Sequence, residues 1–134
     1  MLIREYSESD LDALRSMHAR QGFDYPFPDL ADPIFVSKLV VEDESGCAVM
    51  ASLARLTCEM CLLADPEAGQ PRERFGRLLA LHDAGERDLL ARGLDDAHAW
   101  LPRRIAKRFG RRLQALGWVR DDAWTPYCRR FAHR

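Results

Sequence analysis

Two cysteines three positions apart, Cys58 and Cys61, are the residues whose spacing most directly suggests chemistry. Such a pair can supply two thiolates to zinc, but a structural zinc site needs four ligands. The remaining cysteines, Cys47 and Cys128, stand alone in the sequence. Residues three apart on a strand also point to opposite faces. We therefore expect Cys58 and Cys61 to be buried, unreactive thiols, all four cysteines to be reduced, and no metal site.

Three of the four histidines, His18, His82 and His98, are candidate proton-transfer groups. Each lies among apolar residues of a predicted helix or strand. That setting favours packed, hydrogen-bonded imidazoles over catalytic groups.

Residues 102–116 have the pattern of an amphipathic helix with an unusually basic face. The apolar positions are Ile105, Phe109, Leu113 and Leu116, and the cations are Arg103, Arg104, Lys107, Arg108, Arg111 and Arg112. From residue 101 onward the chain holds ten Lys/Arg and two Asp/Glu, about +8, and the rest of the chain is about −9. The cations, in particular Arg104, Lys107, Arg108 and Arg111, could bind an acidic protein, contact nucleic-acid phosphates or simply be solvated.

Length and composition indicate one domain, residues 1–134, with a core of its own. No apolar run approaches the roughly 20 residues that cross a bilayer, and residues 1–6 lack the apolar segment of a signal peptide. We expect a cytoplasmic protein that does not bind membranes, with a homodimer as one option.

Periodicity and turn residues predict ten elements in the order strand, helix, three strands, helix, strand, helix and a closing strand pair. The first strand covers residues 2–6, and the helix after it ends at Gly22. A proline- and aromatic-rich loop, residues 23–30, follows. The later predicted elements are strands 34–41, 47–57 and 58–64, helix 72–92, strand 94–101, helix 102–116 and strands 118–120 and 127–131.

This order, and the passage Leu116-Gly117-Trp118 that ends the last helix, resemble the GNAT family of N-acetyltransferases. The opening Ile3-Arg4 followed by Asp10 and Leu14 is also similar to the start of that family's chains. The loop at residues 21–26 and the strand end at residues 100–102 resemble divergent members from bacteria and their phages. The resemblance implies an α+β fold in which helices flank a mixed sheet.

The resemblance also implies a function, the transfer of an acetyl group from acetyl-CoA to an amine of a small molecule or protein. By position, Glu59 corresponds to the family's catalytic carboxylate, which helps to deprotonate the amine. The residues that correspond to cofactor-binding positions are Leu62, Leu63, Arg72, Arg74 and Gly76.

Two features differ from the family pattern. Leu113 stands where the family often has a tyrosine that protonates the departing thiolate. The loop before the 72–92 helix lacks the paired glycines that bring backbone amides close to phosphate, and Pro71 has no N–H to offer. Two further hypotheses therefore stand beside the enzyme: a catalytically inactive GNAT-like interaction or structural protein, and an accessory protein that binds nucleic acid.

Overall fold

A computed structural model describes residues 1–131. The chain divides into two compact units. The first unit contains residues 1–58 and 85–98, and the second contains residues 59–84 and the chain from residue 99.

The first unit is built on a three-stranded antiparallel sheet with the strand order β1-β2-β3. The strands are β1 (Leu2–Glu5), β2 (Phe35–Glu42) and β3 (Ala48–Arg55). The helix α1 (Leu11–Gln21) packs against β3. The buried apolar residues of the core are Leu14, Leu30, Ile34 and Val40. Val40 lies on the central strand, where it has neighbours on both sides, and it is completely buried.

A charged network joins β1 to the turn that begins α1. Asp10 closes a short 3-10 turn (Glu8–Asp10) and is buried. Arg4 donates two hydrogen bonds of 2.8 Å to its carboxylate, and the backbone N–H of Ser7 donates a third of 2.9 Å. These bonds, led by those from Arg4, hold the pKa of Asp10 well below its usual range. Arg4 also donates to Glu42 at 2.7 Å, so a single guanidinium links β1, the turn and β2.

Beyond the three-stranded sheet the predicted strands are much shorter than expected. Within residues 56–131 only β4 (Cys58–Glu59) and β5 (Ala97–His98) form, and they pair with each other. The predictions of strands over residues 58–64 and 94–101 are therefore too long. The closing strand pair at residues 118–120 and 127–131 is wrong, because no strand forms there.

Asp95 and Asp96 fix the segment that leads into β5. Arg55 pairs with both carboxylates, and its hydrogen bond to Asp95 is the main cause of the raised pKa of this guanidinium. Thr57 donates a hydrogen bond of 2.9 Å to Asp96. The end of β3 is thereby tied to the start of β5 by side chains.

Two helices, α2 (Pro71–Ala91) and α3 (Arg103–Ala115), dominate the rest of the described chain. Pro71 occupies the first helical position, where the missing N–H costs nothing. α3 ends in a Schellman-type turn, in which the N–H of Trp118 bonds the carbonyl of Leu113 at 3.0 Å and Gly117 has a positive φ of 92°. The predicted α+β class and both helices are confirmed, whereas the three-stranded sheet is antiparallel and not mixed as predicted. Among the described residues of the second unit, none is fully buried.

Candidate functional site

The second unit contains a cavity of about 310 Å³ lined by α2, α3 and the segment that precedes α2. Its volume lies at the small end of the range typical for ligand pockets. Eight apolar side chains line it: Leu62, Leu63, Ala64, Ala68, Phe75, Leu78, Leu81 and Phe109. Three arginines, Arg74, Arg77 and Arg112, and one carboxylate, Asp65, complete the lining. A mostly apolar surface with a few cations suits a ligand that has an apolar part and an anionic part.

Two of these arginines hold the loop before α2. Arg74 Nη1 donates to the carbonyl of Gly69 at 2.6 Å, and Arg77 Nη1 donates to that of Ala68 at 3.0 Å. A guanidinium has five N–H donors, so each arginine retains donors for a second partner. These hydrogen bonds to the loop therefore orient both arginine side chains at the cavity and leave N–H donors available for a ligand.

The carboxylate of Glu73 already occupies the N-terminus of α2. Glu73 Oε2 accepts a hydrogen bond of 3.1 Å from the backbone N–H of Gln70 and lies 3.9 Å from Arg77. The exposed amides and positive dipole end of a helix N-terminus favour an anion, and here a side chain of the same helix supplies it. A phosphate at this position would have to displace the Glu73 carboxylate.

Gly69 makes this arrangement possible. Its φ of +79° lies in the left-handed region, and a Cβ built on it would lie 2.5 Å from Glu73 Oε2. Any side chain at residue 69 would therefore be strained and would press on the Glu73 carboxylate.

Of the five predicted cofactor-binding residues, three lie together: Leu62, Leu63 and Arg74 line the cavity. Arg72 is exposed and is absent from the lining. Gly76 is also absent from the lining, and a Cβ there would meet no atom within 4 Å, so no close approach requires glycine at that position.

Glu59 lies on β4 and is exposed. It precedes Leu62 by three residues, so the backbones of the two lie within about 10 Å of each other. Leu113 is half-buried and brings no hydroxyl to α3. Tyr127 is 95% exposed and so does not pack into a cleft.

Sequence reasoning missed several lining residues of the cavity, chiefly Arg77 and Phe109. Phe75 and Leu78 have helical spacing within the predicted 72–92 helix, and the same kind of spacing places Phe109 on the apolar face of the predicted 102–116 helix. Their convergence on one cavity depends on how the two helices pack, which periodicity does not encode. Arg77 had a detectable signal, since it follows Arg74 by three residues on the same helix.

The histidines have three different environments. His82 is half-buried, and its Nε2 accepts a 2.9 Å hydrogen bond from the indole N–H of Trp118, which confirms the prediction of a packed, hydrogen-bonded imidazole. His18 packs edge-on against Tyr25 and Phe27, but its buried Nε2 has no hydrogen-bond partner within the described chain. The core prediction is wrong for His98, whose side chain is 48% exposed and lies 3.6 Å from Asp96, because β5 is too short to cover it.

The six cations of α3 do not form ion pairs with any of residues 1–131. The Nε of Arg111 bonds a backbone carbonyl, that of Lys107, at 3.3 Å. The basic face is thus a free cationic surface on the described part of the protein.

No protein-family model, curated protein or solved structure matches this chain. Across residues 1–131, no helix combines the length and apolar character needed to cross a membrane. The same residues contain no cluster of three or more His, Cys, Asp or Glu side chains that could hold a metal ion. The prediction that Cys58 and Cys61 are buried is wrong, because Cys61 is exposed and Cys58 is only half-buried.

Proposed function

We propose that the cavity of the second unit binds acetyl-CoA and that the chain is a divergent GNAT-like N-acetyltransferase. The observation that carries the proposal is the lining of the cavity, where Leu62, Leu63 and Arg74 meet the apolar faces of α2 and α3. The apolar lining suits the acyl and pantetheine portion of the cofactor. Arg74, Arg77 and Arg112 suit its phosphates, since guanidinium–phosphate pairs are strong and geometrically specific.

In this mechanism a neutral amine attacks the thioester carbonyl, the new C–N bond forms and the C–S bond breaks. The Glu59 carboxylate, directly or through water, takes the proton that the amine loses. The thiolate of coenzyme A takes its proton from water, because Leu113 has none to give. Cofactor binding and amine deprotonation thus depend on different residues and can be tested separately.

Calorimetric titration with acetyl-CoA tests the binding step. We expect saturable binding that weakens about tenfold in Arg74→Gln, the loss of one charge-assisted contact. Arg103→Gln is the matched control, because it removes the same charge from α3 at a residue outside the cavity lining. Absence of binding at millimolar acetyl-CoA, or equal loss in both variants, would overturn the assignment.

Release of the coenzyme A thiol in the presence of an amine panel (free lysine, spermidine and a lysine-containing peptide) tests the chemical step. Glu59→Gln should lower kcat by about a hundredfold, the lower range for a general base, while the affinity for acetyl-CoA stays the same. If the variant retains the wild-type rate with every amine that the protein acetylates, Glu59 is not the base.

One observation favours a second candidate, an interaction protein without a cofactor. The Glu73 carboxylate already occupies the N-terminus of α2, so the most favourable backbone site for a phosphate is filled. The calorimetric experiment separates the two candidates, since the interaction protein would not bind acetyl-CoA.

A further inference from the structure

A groove runs along one side of α3 and shares two lining residues, Phe109 and Arg112, with the cavity described above. It is lined by Arg104, Ile105, Arg108, Phe109 and Arg112 and has a volume of about 380 Å³. The three arginines are spaced four residues apart, so they form a row with steps of about 6 Å along the helix axis. The two apolar residues form a parallel row beside it, at the boundary between the basic and apolar faces.

This row is unfavourable in the isolated protein. Like charges at positions i and i+4 destabilise a helix, and no carboxylate of residues 1–131 compensates them with an ion pair. Ile105 is in addition 40% exposed. An anion-bearing partner would relieve the repulsion, and an apolar side chain from the same partner would cover Ile105.

We propose that this groove, the α3 groove, docks an acidic amphipathic helix of a partner protein. Glutamates four residues apart on such a helix repeat at about 6 Å, the step of the arginine row. Leucines beside them would reach Ile105 and Phe109, in the helix-in-groove mode of peptide recognition. Arg104 and Arg108 would each form an ion pair with a glutamate of the partner helix.

The apolar row favours a peptide over nucleic acid. A phosphodiester backbone would satisfy the guanidiniums but leave Ile105 in water, because phosphates and sugars offer no large apolar group. A partner that carries both carboxylates and leucines uses both rows of the groove.

Fluorescence anisotropy tests the proposal with a labelled 18-residue helical peptide that has glutamate at every fourth position and leucines beside them. The full chain is titrated at low salt against this peptide, against the same peptide with serine in place of leucine, and against an 18-nucleotide single-stranded DNA. We expect the leucine peptide to bind at least fivefold more tightly than the serine peptide, and its affinity to fall as salt rises.

The double variant R104Q/R108Q should weaken binding of the leucine peptide by about fivefold or more, as expected for the loss of two exposed ion pairs. The matched control is R103Q/R111Q, which removes two charges from the adjacent row of the same helix, outside the groove lining. Neither pair includes a residue of the acetyl-CoA cavity, so failure here is distinct from failure of the proposed enzyme. Circular dichroism of both variants checks whether they retain their helices.

Three results would overturn the proposal. The first is an equal loss in the two double variants, which would show a diffuse electrostatic attraction. The second is equal affinity for the leucine and serine peptides, or tighter binding of the DNA, which would assign the row to a polyanion. The third is no binding of the leucine peptide at low salt.

Discussion

Replacing Glu73 with glutamine should strengthen acetyl-CoA binding, although the change falls at the candidate site. The Glu73 carboxylate accepts the Gln70 N–H that a phosphate would otherwise use, so the two anions compete for one donor. Unit charges about 4 Å apart repel by about 1 kcal/mol in bulk water and about 4 kcal/mol near a protein surface. Because the Glu73 side chain is 58% exposed, we expect the repulsion to be closer to its value in bulk water. We therefore expect a gain of about 1 to 2 kcal/mol, or five- to thirtyfold in Kd.

Isothermal titration at two salt concentrations measures this effect. The gain should shrink as salt rises, because screening weakens the repulsion that the substitution removes. Asp122→Asn is the control, since it removes an exposed carboxylate that pairs with Arg120 elsewhere in the second unit. Unchanged or weaker binding in Glu73→Gln, while the wild type binds, would refute the placement of a phosphate beside Arg77, whose guanidinium lies 3.9 Å from the Glu73 carboxylate.

Three further predictions concern stability and local structure. Asp10→Asn should lower the free energy of unfolding by about 2 kcal/mol at pH 7, because hydrogen bonds to a charged carboxylate are lost. Since the pKa of Asp10 is lowered in the fold, wild-type urea stability should fall toward that of the variant below about pH 4; a deficit that stays constant down to pH 3 would contradict this origin. Gly69→Ala should cost about 1 to 2 kcal/mol by forcing a side chain into the left-handed region, and unchanged urea stability would show that the loop adapts freely. His82→Phe should shift the indole N–H resonance of Trp118, because its acceptor is lost, whereas an unchanged spectrum would show that this bond does not form in solution.

The sequence predicted the helices and the first sheet better than the later strands. α2 and α3 differ from their predicted bounds by about one residue, because apolar spacing, Pro71 and the glycine at residue 117 mark them locally. The predicted strand at residues 58–64 forms only at Cys58–Glu59, and the predicted strands at residues 118–120 and 127–131 do not form, although their apolar residues suit a sheet. A strand needs a partner for its backbone hydrogen bonds, and that partner is set by long-range pairing.

The sequence predicted only part of the candidate site. Leu62, Leu63 and Arg74 were assigned by position through the family resemblance, and they lie together in the structure. The hydrogen bond that the Glu73 carboxylate accepts at the start of α2 is not predicted by the sequence. This hydrogen bond depends on the left-handed turn at Gly69, which residue types alone do not specify.

The shortage of fully buried side chains in the second unit has a thermodynamic consequence. Each apolar group left in water forgoes stabilisation of about 25 cal/mol per Å², so the described part of this unit should open locally at a lower free energy than the core around Val40. Amide hydrogen exchange should accordingly be faster in residues 103–115 of α3 than in β2. A ligand that fills the cavity at a hundred times its Kd would add about 2.7 kcal/mol to the folded state, so protection of α3 from exchange would itself report occupancy of the cavity.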